Sequence, residues 1–308
     1  MEDPKHTTPE NNLKPHLLLL PSTDWEDYEL LDSGAGSKLE RYGLYTFVRP
    51  DHQAVWKPAL PEADWQNAHA VFQASGEESG GHWQFNRQVQ PNWVMQYKGL
   101  KFRAHATNSR HMGVFPEQAV HWDWIADRIR AAHRPVQVLN LFGYTGLATL
   151  AAARAGAKVT HVDASKKSIS IARENQALSG LEDRPIRWLV DDAYKFVRRE
   201  VRRRSYYDGI VLDPPKFGRG PGGQVWEFFE ALPKLLAECR QLLSRRPMFV
   251  VLTAYAIRAS SLSVYYALEE MVAGLGGEVS TGELVLVERS AGRILSTAIF
   301  ARWDAPSG

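Results

Sequence analysis

Between residues 136 and 253 the chain alternates short apolar runs with amphipathic stretches of helical period. The apolar runs predict strands over 136–141, 158–162, 186–190, 209–212 and 248–253. The stretches between them predict helices over 147–155, 166–178, 193–203 and 226–243. A further helix over 262–273 leads to a hairpin of 278–288 and 293–303. Apolar strands alternating with helices mean an α/β fold, a mostly parallel sheet covered on both faces. The hairpin adds antiparallel strands at one edge. Upstream the texture changes. Short strands are read at 39–48 and 53–56, a helix at 62–72, and strands at 82–85, 93–97 and 100–106, the last two turning at Lys98-Gly99. That order predicts a small N-terminal α+β domain. The division is then a flexible tail over 1–25, the small domain over 26–107, a connector with helix 120–132 over 108–134, and the large sheet domain over 135–308.

Composition narrows the class. The chain has 308 residues, 44% of them hydrophobic, with 33 aromatic side chains and near-balanced charge, which excludes global disorder. No apolar run approaches the length of a bilayer span, so no membrane is expected, and the polar opening has no signal-peptide pattern. One cysteine cannot form an intramolecular disulfide or a cysteine-based metal site, and a cytoplasmic location is expected. Residues 1–105 carry 10 Lys and Arg against 14 Asp and Glu, whereas 106–308 carry 27 against 21. Of those 27 cations 21 are Arg, whose planar fork suits phosphate, so the large domain is compatible with nucleic acid.

Ligands of a doubly wound sheet bind at the carboxyl ends of its strands. After the first strand stands Asn140-Leu141-Phe142-Gly143-Tyr144-Thr145-Gly146, whose glycines permit a tight turn and close backbone approach. After the second comes Asp163-Ala164-Ser165, where a carboxylate can accept two ribose hydroxyls. After the third comes Asp191-Asp192-Ala193, where an acid can take an adenine amino group. After the fourth comes Asp213-Pro214-Pro215-Lys216-Phe217, whose prolines stiffen the loop and leave carbonyls free to face a substrate. Taken singly, Asp163 and Asp192 read equally well as helix caps. A nicotinamide site would want G-x-G-x-x-G, and position 141 is Leu.

In this order the motifs resemble class I S-adenosylmethionine-dependent methyltransferases. They are most similar to the bacterial ribosomal RNA large-subunit methyltransferases of the I and K/L type. The resemblance rests on Val138 to Gly146, Val162 to Ser165, Ala172-Arg173-Glu174-Asn175, Asp191 to Ala193 and Leu212 to Phe217. Upstream it takes in Gly36-Ser37-Lys38-Leu39-Glu40-Arg41-Tyr42-Gly43 and Met112 to Gln118. It implies a Rossmann-like class I methyltransferase sheet over 135–308 that binds S-adenosylmethionine, leaves S-adenosylhomocysteine and needs no metal. Asn140, Phe142, Gly143, Tyr144, Thr145 and Gly146 would cradle the methionine part and approach the ribose. Asp163 would hold the ribose hydroxyls and Asp192 meet the adenine amino group, with Ala164, Ser165, Asp191 and Ala193 beside them at the cofactor. Phe115 and Gln118 would close over the cofactor from the connector. Asp213, Pro214, Pro215 and Phe217 would face the methyl acceptor, with Lys216 and Arg219 binding substrate.

Relatives that methylate cytosine C5 carry a cysteine after the fifth strand, where this chain reads Leu252-Thr253-Ala254-Tyr255. The single thiol, Cys239, shares a helix face with Leu232, Leu235, Leu236, Leu242 and Leu243, a core position. C5 chemistry needs a covalent adduct. The expectation is therefore direct transfer to a nucleobase nitrogen in RNA, ribosomal RNA above all. A small aromatic or protein acceptor is the alternative, and a non-catalytic nucleotide-binding regulator is the rival of another class. The cations Lys195, Arg198, Arg199, Arg202, Arg203 and Arg204 read as a solvated helix end or an RNA-facing patch. The sequence leaves the oligomeric state open.

Overall fold

The computed structural model describes residues 14–75, 80–106, 110–220 and 222–306. Strand β1 (Leu17–Pro21) is followed by β2 (Tyr28–Gly34), β3 (Ser37–Tyr42) and β4 (Tyr45–Pro50). A short helix α1 (Glu62–Gln66) precedes β5 (Ala70–Ala74), β6 (Gly81–Phe85) and the hairpin β7 (Trp93–Tyr97) and β8 (Leu100–Ala104). A 3-10 turn at Pro116–Gln118 runs into α2 (Ala119–Ala131). Then come β9 (Gln137–Leu141), α3 (Leu147–Arg154), β10 (Lys158–Asp163), α4 (Lys166–Leu178), β11 (Ile186–Val190), α5 (Ala193–Arg203) and β12 (Gly209–Leu212). A small hairpin, β13 (Phe217–Arg219) and β14 (Val225–Glu227), interrupts before α6 (Phe228–Arg240), β15 (Phe249–Ala254), α7 (Ser261–Val272), β16 (Glu278–Val287) and β17 (Ile294–Asp304).

The large sheet has the order β1-β16-β17-β15-β12-β9-β10-β11. The strands β15, β12, β9, β10 and β11 run parallel, and β17 pairs antiparallel with both β15 and β16. Strand order reverses between β9 and β12, which opens a crevice at their carboxyl ends. Side chains alternate across the sheet. Leu139, Leu141, Ile210 and Leu212 pack under α5, α6 and α7, whereas Val138 and Val211 pack under α2 and α3. The strands are apolar on both faces because both faces are covered, so the α/β reading holds.

The N-terminal residues build a second sheet of order β2-β3-β4-β5-β6. Tyr28, Tyr42, Phe47, Met95, Tyr97 and Phe102 join Trp122, Leu147 and Leu150 of α2 and α3 in one buried cluster. Aromatic rings of the five-stranded sheet and of the separate β7–β8 hairpin therefore share a core with α2 and α3.

Four upstream expectations are corrected. Residues 1–13 of the expected tail lie outside the described residues, but Leu17–Pro21 forms β1, parallel to β16. Its run of leucines shows no alternation, and its pairing is supplied by residues near the other end of the chain. The single strand expected over 39–48 is the hairpin β3–β4, turned at Gly43 with φ +62°. Residues 53–56 form a turn, with Ala54 N–H donating to the Asp51 carbonyl at 3.1 Å. The helix expected over 62–72 stops at Gln66, and His69 N–H donates to the Thr46 carbonyl at 2.9 Å as the chain enters β5. Downstream, the helix expected from 226 starts at Phe228, because 225–227 pairs with 217–219 and Glu227 caps the helix through Glu230 N–H.

Candidate active site

The turn after β9 is conformationally demanding. Phe142 (φ 58°), Tyr144 (φ 49°) and Gly146 (φ 87°) are all left-handed. Each non-glycine residue held there costs on the order of 1–3 kcal/mol, strain of a kind that gathers at functional sites. A Cβ on Gly143 would lie 2.3 Å from His161 Cε1, so no side chain fits. The glycine turn is thus clamped on the buried His161 ring, which burial holds neutral at about 3. Asn140 Nδ2 donates to Thr149 Oγ1 at 2.9 Å, and Thr149 Oγ1 lies 2.9 Å from His161 Nδ1. Asn140 is 2% exposed, so its side chain supports the turn from below. Thr145 does likewise, its hydroxyl donating to the Gly113 carbonyl at 2.8 Å.

Asp163 closes the turn from β10. Its Oδ2 accepts Tyr144 N–H at 2.9 Å and its Oδ1 accepts Ser165 N–H at 2.7 Å. Burial nonetheless raises its carboxyl above the ordinary range, outweighing those bonds. Each oxygen keeps a second lone pair for a hydroxyl donor. Ser165 caps α4 through Ser168 N–H at 3.1 Å, and Ala164 between them is exposed. Asp192 is the N-cap of α5, accepting Lys195 N–H at 2.8 Å, with the buried Ala193 behind it. Asp191 accepts Asp192 N–H at 2.9 Å and pairs with Arg199. The capping reading of Asp192 is therefore satisfied, and its other oxygen borders Gly220 of the β13–β14 loop.

The acceptor side follows β12. Gln118 Nε2 donates to Asp213 Oδ2 at 3.1 Å. Burial first, then the charges of Glu117 and Asp163, push the Asp213 carboxyl up to about 8, against the Gln118 bond. Pro214 is buried, and among the described residues no donor reaches its carbonyl. The Pro215 carbonyl accepts Trp226 Nε1 at 2.6 Å, and the Lys216 carbonyl accepts Phe228 N–H at 3.0 Å. Trp226 packs at 5.0 Å between ring centroids on Phe142, tying hairpin to glycine turn. On the outer face of that hairpin Phe217 is 57% exposed, beside the exposed Arg219 and Val225.

The connector brings Phe115 to the same place, 5.7 Å from Tyr144 and 5.0 Å from Tyr255. Two residues of this constellation were not singled out from sequence. Glu117 is 5% exposed and raised by burial, with Lys38, Tyr255 and Arg49 facing it. Tyr255 follows β15, and its buried hydroxyl faces Glu117. Position 255 was read only for the absence of a nearby cysteine, though it ends a strand as Asp213 does. Glu117 sits inside the quoted connector motif, and its acid between Pro116 and Gln118 was the available signal.

Cys239 is fully buried in α6, and burial raises its thiol further. Among the described residues no group of three or more His, Cys, Asp or Glu is arranged to hold a metal ion, and no helix is long and apolar enough to cross a membrane. Of the α5 cations, Arg199 pairs with Asp191, Arg203 with Glu200 and Arg198 with Glu238.

A solved SAM-dependent methyltransferase from Agrobacterium tumefaciens is 50% identical, with a TM-score of 0.89 over 93% of each chain. The ribosomal RNA large subunit methyltransferase I of Aeromonas salmonicida is 30% identical over 148 residues, 48% of this chain and 34% of that protein. A ribosomal RNA large subunit methyltransferase K/L from a Shewanella species is 30% identical over 163 residues, 52% of this chain and 22% of that protein. The matched stretch thus spans about a third of one curated relative and about a fifth of the other. Residues 42–256 match the family described as S-adenosylmethionine-dependent methyltransferase, most of the chain and every strand end described above, and the chain belongs to that family.

Proposed function

We propose that the chain methylates a nucleobase nitrogen in RNA by direct in-line transfer from S-adenosylmethionine, without a cysteine nucleophile. The crevice suits that cofactor. Asp163 and Asp192 retain acceptor capacity for ribose hydroxyls and the adenine amino group. The carboxyls of Asp163, Asp213 and Glu117 give polar acceptors around a sulfonium, and Phe115 and Tyr144 give apolar walls. When bound, the cofactor supplies a methyl group already activated by positive sulfur. The chain's own task is alignment and proton handling. Asp213 and the free Pro214 carbonyl accept N–H bonds from a planar acceptor, and Phe217 offers a face on which a ring can stack. A structured RNA would present that base splayed from its neighbours.

The observation that carries this reading is Asp213, half-buried at the strand-order reversal beside a carbonyl that no donor reaches among the described residues. Ribosomal RNA is favoured because the curated relatives bear that name. The sealed thiol of Cys239 argues for transfer without an adduct. The test is transfer of tritiated methyl groups from labelled cofactor into separated RNA, protein and metabolite pools. Label in an alkylated base of ribosomal RNA is expected. Label confined to protein or metabolites overturns the RNA reading, and cofactor binding without transfer to any pool leaves the regulator.

A further inference from the structure

We propose that Glu117, braced by Tyr255, is a positioning residue that makes Asp213 the base for the acceptor's departing proton. The inference rests on the reading that Asp213 faces the acceptor, and it adds that the acceptor nitrogen bears a hydrogen lost in the reaction. Glu117 and Gln118 are consecutive in the 3-10 turn, and the Gln118 amide holds Asp213 Oδ2 at 3.1 Å. That single bond fixes the carboxyl's orientation. Glu117 itself is enclosed, and the buried Tyr255 hydroxyl faces it, its proton favouring charge on the Glu117 carboxyl. The Phe115 ring lies 5.0 Å from that of Tyr255 and seals the group from the connector side.

The charged surroundings are unequal. Asp213 faces Glu117 and Asp163, two acids, with only the neutral Gln118 amide opposing them. Glu117 faces Lys38 and Arg49 from the five-stranded sheet, as well as Tyr255. These partners favour charge on Glu117, and that charge raises the proton affinity of Asp213. Lys38 and Arg49 are themselves anchored, Lys38 to Asp51 at 3.3 Å and Arg49 to Glu40 at 2.7 Å. A carboxylate poised near neutrality can take a proton from nitrogen and release it to solvent. In the step, the acceptor nitrogen bonds to the methyl carbon as the carbon–sulfur bond breaks and its electron pair stays on sulfur. The nitrogen's proton passes to the Asp213 carboxylate, and the product base is uncharged.

The test uses the whole chain with carbon-13 in its aspartate carboxyls, titrated by NMR from about pH 5 to pH 10. One carboxyl should titrate near 8 in the unaltered protein and be missing from Asp213→Asn. In Glu117→Gln it should fall by about one unit or more, and in Tyr255→Phe it should fall by less. Glu117→Asp, which keeps the charge, should hold it up. The acidic limb of single-turnover transfer to transcribed ribosomal RNA should move with it. An Asp213 signal in the ordinary aspartate range, or one unmoved in both folded variants, overturns the proposal. So does a cationic methylated base, since its formation releases no proton. Failure of RNA to take label at all would fail the substrate reading, while the titration still decides the role of Glu117.

Discussion

Asp213 destabilises the folded chain whenever it ionises. Burial and two neighbouring acids hold its carboxyl up to about 8, so the fold favours the neutral form. For a raised acid, stability is whole below the ordinary aspartate range and is lost as pH climbs towards the folded value. Asp213→Asn should therefore melt above the unaltered protein at about pH 9 and merge with it below about pH 4, the gain being on the order of a few kcal/mol. Equal melting at both ends would mean the carboxyl is not enclosed. Phe217 makes the opposite case. With 57% of its surface exposed, it does not pack beneath its loop. Phe217→Ala should leave the melting temperature within about a degree and lower transfer by roughly one to two orders of magnitude, with cofactor affinity unchanged. A large loss of melting temperature would count against the stacking role. Asp213 could be picked out in the sequence because two prolines follow it directly. Glu117 stands in the quoted connector motif, but its role comes from Tyr255, Lys38 and Arg49, which lie far away along the chain.

At the scale of elements, periodicity served where burial is two-sided. Strands β9 to β12 and helices α3 to α5 match the sequence reading to within a residue or so: β9, β10 and β12 are apolar runs covered on both faces, and the helices keep one apolar face towards the sheet. It failed where pairing decides. Nothing local in Leu17 to Leu20 distinguishes a strand from a loose end, and the β13–β14 hairpin is three residues a side. The β1–β16 pair also has a single weak point. A Cβ on Gly282 would lie 1.8 Å from the Leu18 carbonyl oxygen, which is possible for no real contact. Gly282→Ala should expel β1 and open the β16 edge. Hydrogen exchange should then rise at 17–21 and along β16, with the strand ends of the crevice unchanged. Continued protection of β1 in that variant would refute the pairing.

The whole molecule is held across its two larger sheets by a polar fastener. Asp32 of β2 accepts Ser290 Oγ at 2.7 Å, Leu60 N–H at 2.8 Å and Trp65 Nε1 at 3.1 Å. Arg289 and Ser290, past the end of β16, donate backbone N–H bonds to Leu30 and Leu31 at 2.9 and 3.1 Å. Burial alone would raise Asp32, but its donors, Ser290 foremost, outweigh it and bring the carboxyl down. A depressed acid contributes stability above its unfolded value and loses it as pH falls through the folded one. Asp32→Asn should therefore lose about 1–3 kcal/mol at neutral pH, and the difference should shrink in acid. An undiminished difference at low pH would show that the charge is not what holds the fastener. The path of the chain adds a matter of timing. Strand β1 leaves the ribosome about 260 residues before its neighbour in the sheet, β16, whose Thr281 pairs with Leu17. Its leucines and unpaired backbone stay open over that interval, and the edge closes only once β16 has emerged. A product released early, anywhere short of β16, carries that bare strand as a mark of incompleteness that chaperones and proteases can read.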